Sequence, residues 1–400
     1  MAGRNQSPST IGLALAGGGP EGAIYEIGAL RALDEALEGI DFTDLPIYVG
    51  VSAGAFVGAC LANRLTPAQL VHSVVRHLPY GTAIQARTFF TPAFTEYLRR
   101  GLAAPRLVLE ALWDYATHGD RAVLQSFSRL SAAVPVALFD TQPVDEFLEE
   151  VFSQKGRTND FRELKTRLTV VAADLDTARP MCFGQPGADH VPISKAVAAS
   201  GALPGLYAPV LIDGHYYVDG VLLKTLHASV ALEQDADFVI CVNPIVPIDT
   251  AQLAALGAPT RNLVDHGLPL VLAQTLRTLV HSRMQVGMAA YGPRYPDRDV
   301  VLFEPRRDDA LMFFTNIFSF ASRKAICEHA YHATRADLLE RCDELSAIFG
   351  RHGIRLCREV LEDRTRDVWT PSDATYDATA PVTRTLDHAL ARLEALVEDR

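Results

Sequence analysis

The chain has 400 residues, of which 48% are apolar, and a formal net charge of −11 at pH 7. This length and apolar content suffice for one large hydrophobic core or two smaller ones. The negative charge argues against a nucleic-acid partner and against attachment to anionic lipid by charge alone, so any membrane contact must be apolar and local. The six scattered cysteines contain no CxxC pair, which is typical of reduced thiols rather than of a disulfide framework.

The apolar segments of the sequence predict neither a signal peptide nor a membrane-spanning helix. The first ten residues are polar, and the apolar run that follows them ends after six residues, which is too short for a signal peptide. A long uncharged run, 196–212, is broken by two glycines and two prolines, so it cannot form a continuous spanning helix. These features predict a cytoplasmic protein without a transmembrane segment, and they leave peripheral contact with a membrane open.

The chain begins with a β-loop-α-β-turn-α pattern. A buried strand is predicted over 11–16, a helix over 23–38, a second strand over 47–51 and a second helix from 53 to about 63. This pattern is typical of a parallel sheet with helices on its faces. Residues 66–150 are then predicted to form a helical insertion or cap.

Further strands are indicated by short apolar runs bounded by turn residues, at 168–173, 210–212, 215–218 and 238–242. The predicted fold class is therefore α/β, with a mainly parallel central sheet within residues 10–245. Residues 246–362 are predicted to form a mainly helical extension packed on this domain, and 370–382 a linker rich in Thr, Ala, Asp and Pro. A last helix, 383–400, has an apolar stripe that either docks on the body or makes a homo-oligomer contact.

A glycine-rich motif stands at the end of each of the first two predicted strands. The two motifs are Gly17-Gly18-Gly19-Pro20-Glu21-Gly22 and Gly50-Val51-Ser52-Ala53-Gly54. A serine on a sharp strand-to-helix turn needs small neighbours, because the backbone is strained while Oγ stays exposed. Three consecutive glycines let backbone N–H groups approach an oxyanion closely. Together the motifs predict a serine nucleophile, Ser52, that hydrolyses an ester.

A third motif, Asp219-Gly220, follows the predicted strand at 215–218. With it, the sequence resembles the patatin-like phospholipases over roughly residues 11–245. The resemblance implies a three-layer α/β/α fold and a catalytic dyad without histidine, in which Ser52 is the nucleophile and Asp219 the base. It also implies oxyanion donors at Gly17, Gly18 and Gly19, and supporting glycines at Gly22, Gly50, Gly54 and Gly220.

The chemistry implied by this resemblance is cleavage of carboxylic esters in lipids, through an acyl-enzyme and with neither a metal nor a cofactor. The substrate would be a phospholipid, a lysophospholipid or a neutral acyl ester. A carboxylate with an ordinary pKa near 4 is a poor base for a hydroxyl proton. Asp219 is therefore expected to be partly buried next to Ser52, and the positive end of the helix that starts near Ala53 would stabilise the alkoxide.

The sequence departs from the family at two positions. Glu21 stands where the family usually has Arg or Lys, and Val221 where a second glycine commonly follows the Asp-Gly pair. A carboxylate at position 21 opposes the oxyanion unless it points away, although a negative charge is favourable in a first helical turn. A catalytically silent lipid-binding or interaction protein is therefore an open alternative, and so is an acyltransferase that uses the same acyl-enzyme.

Three further alternatives follow from single motifs. The first glycine loop also matches the dinucleotide-binding pattern GxGxxG, but the second strand lacks the acidic residue which that site uses. The aromatic segments 89–97 and 311–320 fit either the core or a lipid-facing surface. A Ser-His-Asp triad would need a histidine after Asp219, and the candidates are His266, His281, His329 and His332.

Overall fold

The computed structural model describes residues 9–75, 91–118, 134–255, 262–309, 311–314 and 320–370. The predicted helix at 383–400 and nearly all of the predicted linker lie outside these residues. The strands are β1 (Ile11–Leu15), β2 (Leu37–Glu38), β3 (Ile47–Val51), β4 (Ala137–Phe139), β5 (Arg167–Asp174), β6 (Pro180–Phe183), β7 (Gly205–Tyr207), β8 (Val210–Ile212), β9 (His215–Asp219), β10 (Phe238–Val242), β11 (Asp299–Phe303) and β12 (Arg355–Leu356).

The α-helices fall between these strands and after them. They are α1 (Gly19–Ala36), α2 (Ala53–Ala62), α3 (Pro67–Leu70), α4 (Phe94–His118), α5 (Gln142–Phe152), α6 (Ile193–Ser200), α7 (Ala228–Glu233), α8 (Thr250–Ala255), α9 (Leu268–Arg294), α10 (Leu311–Phe314), α11 (Phe320–Glu340), α12 (Cys342–Arg351) and α13 (Arg358–Glu362). Within the described residues, none of these helices is both long enough and apolar enough to cross a membrane. All six cysteines are free.

The central sheet is mostly parallel, as the sequence predicts. Its strand order is β11-β10-β1-β3-β5-β9-β8, with β6 also paired to β5. The five strands from β11 to β5 run parallel to their neighbours, whereas β9, β8 and β6 are antiparallel. The carboxyl ends of the parallel strands therefore lie at one edge of the sheet, which is where ligands bind in open α/β sheets.

Alternate residues of the central strands enter two separate hydrophobic clusters. Leu13 and Leu15 of β1 pack with helices α1, α2 and α11, whereas Ala14 packs with α7 and α9. A strand points successive side chains to opposite faces, so the two clusters are the two faces of one sheet. The three-layer α/β/α architecture is thereby confirmed.

Both ends of helix α1 differ from the sequence-based expectation. Helix α1 begins at Gly19, earlier than predicted, because Pro20 in the first turn has a backbone already suited to a helix start. It ends at Ala36, since Leu37 pairs instead with Leu356 in the short β2–β12 ladder. The region after residue 245, predicted as mainly helical, also contributes a strand, because β11 pairs in parallel with β10 at the edge of the sheet.

The end of the described chain is held by two buried arginines. On α1, Arg31 is fully buried and donates from Nη2 to the Thr370 carbonyl at 2.6 Å. On α11, Arg335 donates from Nη2 to the carbonyls of Val360, Leu361 and Asp363 at 2.7, 3.1 and 2.8 Å. Glu35, also buried, pairs with both guanidinium groups. We refer to this arrangement as the arginine clamp.

Candidate active site

Ser52 occupies a strained turn between β3 and α2. Its backbone has φ 53° and ψ −121°, a conformation that costs a residue with a side chain of order 1–3 kcal/mol. The Ser52 N–H donates to Ser200 Oγ at 2.7 Å, and Ser200 Oγ donates to the Val171 carbonyl at 2.6 Å. Ser200 therefore ties the strained turn to β5, and the sequence motifs did not identify this residue.

The second glycine of the serine motif is required by close packing. A Cβ at Gly54 would lie 2.5 Å from the Leu15 carbonyl group, and the Gly54 N–H donates to the Ala16 carbonyl at 3.1 Å. Only a residue without a side chain lets α2 start this close to the end of β1. Gly50 is equally confined, since a Cβ there would lie 2.4 Å from the Gly54 carbonyl oxygen.

Asp219 lies beside Ser52 because of the sheet order. It is the last residue of β9 and pairs with Ala172 of β5, while Ser52 follows β3, which also pairs with β5. Asp219 is 3% exposed and Ser52 is 8% exposed. The Asp219 carboxylate accepts hydrogen bonds from the Val221 N–H, at 2.9 Å, and from the Ser52 side chain.

The protonation of Asp219 is governed by its burial. Desolvation raises the pKa of this carboxyl to about 7, although the hydrogen bonds from Val221 and Ser52 act in the opposite direction. Removing a carboxylate from water disfavours its charged form and makes it a stronger base. The carboxyl can therefore accept a proton near neutral pH, as a base for a serine hydroxyl must.

The glycine loop faces Ser52 from the end of β1. A Cβ at Gly17 would lie only 3.2 Å from Ser52 Cβ, so the loop stands directly against the serine. The Gly17 N–H donates to the Thr225 carbonyl at 3.3 Å. The first turn of α1 closes with a bond from the Gly22 N–H to the Gly18 carbonyl at 2.9 Å, which leaves the Gly19 N–H without an intrahelical partner.

Glu21 is countered by an arginine from a distant helix. Its Oε2 lies 3.6 Å from Nη2 of Arg277 on α9. Burial raises the pKa of Glu21 to about 7, because desolvation outweighs the attraction of Arg277. Glu21 therefore carries only part of its negative charge near pH 7, and that charge is opposed by a cation.

No described histidine is hydrogen-bonded to the dyad. His227 is buried and its Nε2 has no hydrogen-bond partner among the described residues, while desolvation and the charge of Lys224 lower its pKa to about 4. His329 pairs with Asp309 at 2.6 Å. Among the hydrogen bonds of the described residues, none joins a histidine to Ser52 or Asp219, so the geometry does not favour a triad.

One group of metal-ligand residue types occurs among the described residues. The ligand atoms of Asp174, Asp176 and His215 lie within 4.8 Å of one another. Asp174 accepts the N–H groups of Asp176 and Thr177 and faces His215 Nδ1 at 3.3 Å. These contacts belong to the turn at the end of β5, and they explain why the three side chains lie close together.

Comparison with known proteins gives one family and several structures. The family model described as "Patatin-like phospholipase" matches residues 13–232. VipD from Legionella pneumophila is 16% identical, with a TM-score of 0.40, and the match covers 82% of this chain and 66% of VipD. The type III effector protein ExoU is 15% identical, with a TM-score of 0.33, and the match covers 84% of this chain and 53% of ExoU. The chain thus spans about two thirds of the length of VipD and about half that of ExoU.

Proposed function

Because the chain belongs to the patatin-like phospholipase family, we propose that it hydrolyses carboxylic esters of lipids with Ser52 as nucleophile and Asp219 as base. The observation that carries this proposal is the buried hydrogen bond from the Ser52 side chain to an Asp219 carboxyl whose pKa is raised to about 7. A nucleophile and a base within hydrogen-bonding reach are the minimum that acyl transfer needs.

In the proposed first step, Asp219 takes the hydroxyl proton of Ser52 while Oγ bonds to the ester carbonyl carbon. The tetrahedral intermediate collapses, the leaving alcohol takes the proton from Asp219, and an acyl-serine remains. A water molecule then attacks the acyl group, gives its proton to Asp219 and releases the acid. Asp219 returns that proton to Ser52 Oγ, so the enzyme ends in its starting state.

The oxyanion would be held by backbone N–H groups of the glycine loop. Gly18 and Gly19, at the positive end of α1, are the favoured donors. The Gly17 N–H could take part only if it gave up its bond to the Thr225 carbonyl. The start of α2 behind Ser52 adds a second positive helix end.

A fluorophosphonate serine probe tests the nucleophile. We expect a single adduct at Ser52, located by mass spectrometry, and no adduct in the Ser52→Ala variant. Labelling elsewhere, or a folded protein that is not labelled, would contradict the proposal. Asp219→Asn should lower kcat by at least about 100-fold, because loss of a general base typically costs 10²–10⁴ in rate.

The contact between Glu21 and Arg277 supports turnover over the alternative of a silent lipid-binding protein, because it offsets the one carboxylate that opposes the oxyanion. An acyltransferase would form the same acyl-enzyme and pass the acyl group to an alcohol. Product analysis with and without an added alcohol acceptor separates the two reactions. We expect free acid as the main product in both cases.

A further inference from the structure

Helix α9 exposes four large apolar side chains to solvent. Leu268, Leu272, Leu279 and Val286 are 68%, 57%, 60% and 71% exposed. Their spacings of four, seven and seven residues place them on one side of the helix, which we call the outer face of α9. The opposite side is buried against the sheet and includes Val280, His281, Met284 and Tyr291. The helix thus has large apolar residues on its solvent side as well as on its buried side, and on the solvent side Thr275 and Ser282 lie between them.

The charges of α9 are also unusual. Its 27 residues include three arginines and no Asp or Glu, although the chain as a whole has a net charge of −11. Each arginine reaches back to the body: Arg277 to Glu21, Arg283 to the Leu222 carbonyl at 2.9 Å, and Arg294 to Glu233 at 3.6 Å. The outer face consequently has no carboxylate that would repel an anionic surface.

Helix α9 contacts the loops on both sides of the dyad. Arg277 meets Glu21, which follows the glycine loop, and Arg283 binds the carbonyls of Leu222 and Leu223, just after Asp219. A surface that receives the outer face of α9 would therefore lie close to Ser52. Several large apolar side chains exposed on one side of a helix indicate an interaction site.

We propose that the outer face of α9 docks on the surface of a lipid bilayer. From Leu268 to Val286 it measures about 27 Å at 1.5 Å per residue, as expected for a helix that lies in the plane of the membrane interface. A bilayer accounts for exposed aliphatic side chains and the absence of carboxylates on the outer face of α9, next to a proposed lipid hydrolase site. A second exposed row on α4 (Leu98, Leu102, Leu109 and Trp113) includes tryptophan, a residue type enriched at bilayer interfaces. The benefit of docking for catalysis rests on the proposed function, but the docking itself does not.

Vesicle binding by the full chain tests the docking. The Ser52→Ala protein would be sedimented with large unilamellar vesicles of phosphatidylcholine containing one fifth phosphatidylglycerol, so that no lipid can be hydrolysed through Ser52. The double substitution Leu272→Asp/Leu279→Asp should lower the vesicle partition coefficient at least tenfold. The matched control is Leu175→Asp/Leu211→Asp, which adds the same charge at two half-exposed positions outside α9 and should stay within twofold of the parent. Thermal unfolding checks that each variant is folded, and Leu272→Ser/Leu279→Ser replaces the aspartate pair if that variant does not fold.

The outcomes separate this proposal from the proposed function. Vesicle binding that is absent in the parent, or equal in the parent and the double variant, overturns the docking. A concentration-dependent dimer in solution that the double variant abolishes would assign the outer face of α9 to a second copy of the chain, which also overturns it. Vesicle binding that depends on Leu272 and Leu279, together with no labelling of wild-type Ser52, would overturn the hydrolase and leave the docking standing.

Discussion

Ser52 carries a cost in stability that a glycine would not. Its φ of 53° lies where side chains are disfavoured, and glycine adopts such values freely. Ser52→Gly should therefore raise the free energy of unfolding by about 1 kcal/mol, after allowance for the greater freedom of glycine in the unfolded chain. Urea denaturation measures this. Ser52→Ala keeps the Cβ and serves as the control, so a gain in stability of the same size in both variants would contradict the explanation.

The raised pKa of Asp219 predicts the pH dependence of turnover. The carboxyl must be ionised in the free enzyme to accept the serine proton, so kcat/KM for a soluble short-chain ester should rise through an apparent pKa near 7 and then level off. Glu21 also has a pKa of about 7, so its ionisation could produce the same rise in kcat/KM. The rise in kcat/KM should persist in Glu21→Gln. A kcat/KM that stays constant between pH 5 and pH 9 would count against Asp219 as the base.

The same shift predicts how stability varies with pH. The folded pKa of about 7 exceeds the unfolded value near 4, so the folded state binds more protons in that interval and stability falls as pH rises from about 4 to about 7. The Asp219→Asn variant has no carboxyl at this position, so this fall in stability with rising pH does not occur in it. Its free energy of unfolding relative to wild type should therefore increase by about 2 kcal/mol between pH 5 and pH 8. Denaturant titrations at the two pH values measure the difference, and a constant difference would mean that Asp219 is not a buried acid.

At the scale of elements, the contact between α1 and α9 should influence catalysis. Arg277→Gln leaves the Glu21 carboxylate opposed only by solvent, so kcat/KM at pH 9 should fall about tenfold, the equivalent of 1.4 kcal/mol. The double variant Glu21→Gln/Arg277→Gln should recover most of this loss, because it removes both charges. Arg294→Gln, near the other end of α9, is the control. Losses that simply add in the double variant would show that the two residues act independently.

The sequence predicts some of these elements better than others. Strands β3 and β10 match their predicted limits, because each is a short apolar run bounded by turn-forming residues. The proximity of Ser52 and Asp219 was implied by family resemblance alone, since it depends on both strands flanking β5. No sequence motif identifies Arg277, because its contact with Glu21 depends on how α9 packs against the start of α1. Strand β11 was missed because its five residues lie between long helical segments.

At the scale of the molecule, the arginine clamp should make residues 358–370 important for stability. Truncation after residue 357 removes the carbonyl groups that Arg31 and Arg335 bind but leaves their ion pairs with Glu35, and each buried donor that loses its acceptor typically costs about 1–3 kcal/mol. The free energy of unfolding should fall by at least about 3 kcal/mol. Truncation after Thr370 keeps every one of these acceptors and should cost much less. Equal stability of the two truncated chains, measured in urea, would show that the clamp contributes little.

The arginine clamp also bears on the order of events during synthesis. Helix α1, which follows the glycine loop, is made well before Thr370, which accepts a hydrogen bond from Arg31 of that helix. Until Thr370 leaves the ribosome, Arg31 cannot acquire this acceptor, and β11 likewise pairs with β10 only after residue 303 has been made. Nascent chains stalled before residue 357 should therefore remain sensitive to protease and show no labelling at Ser52, although they already contain the whole segment that matches the family.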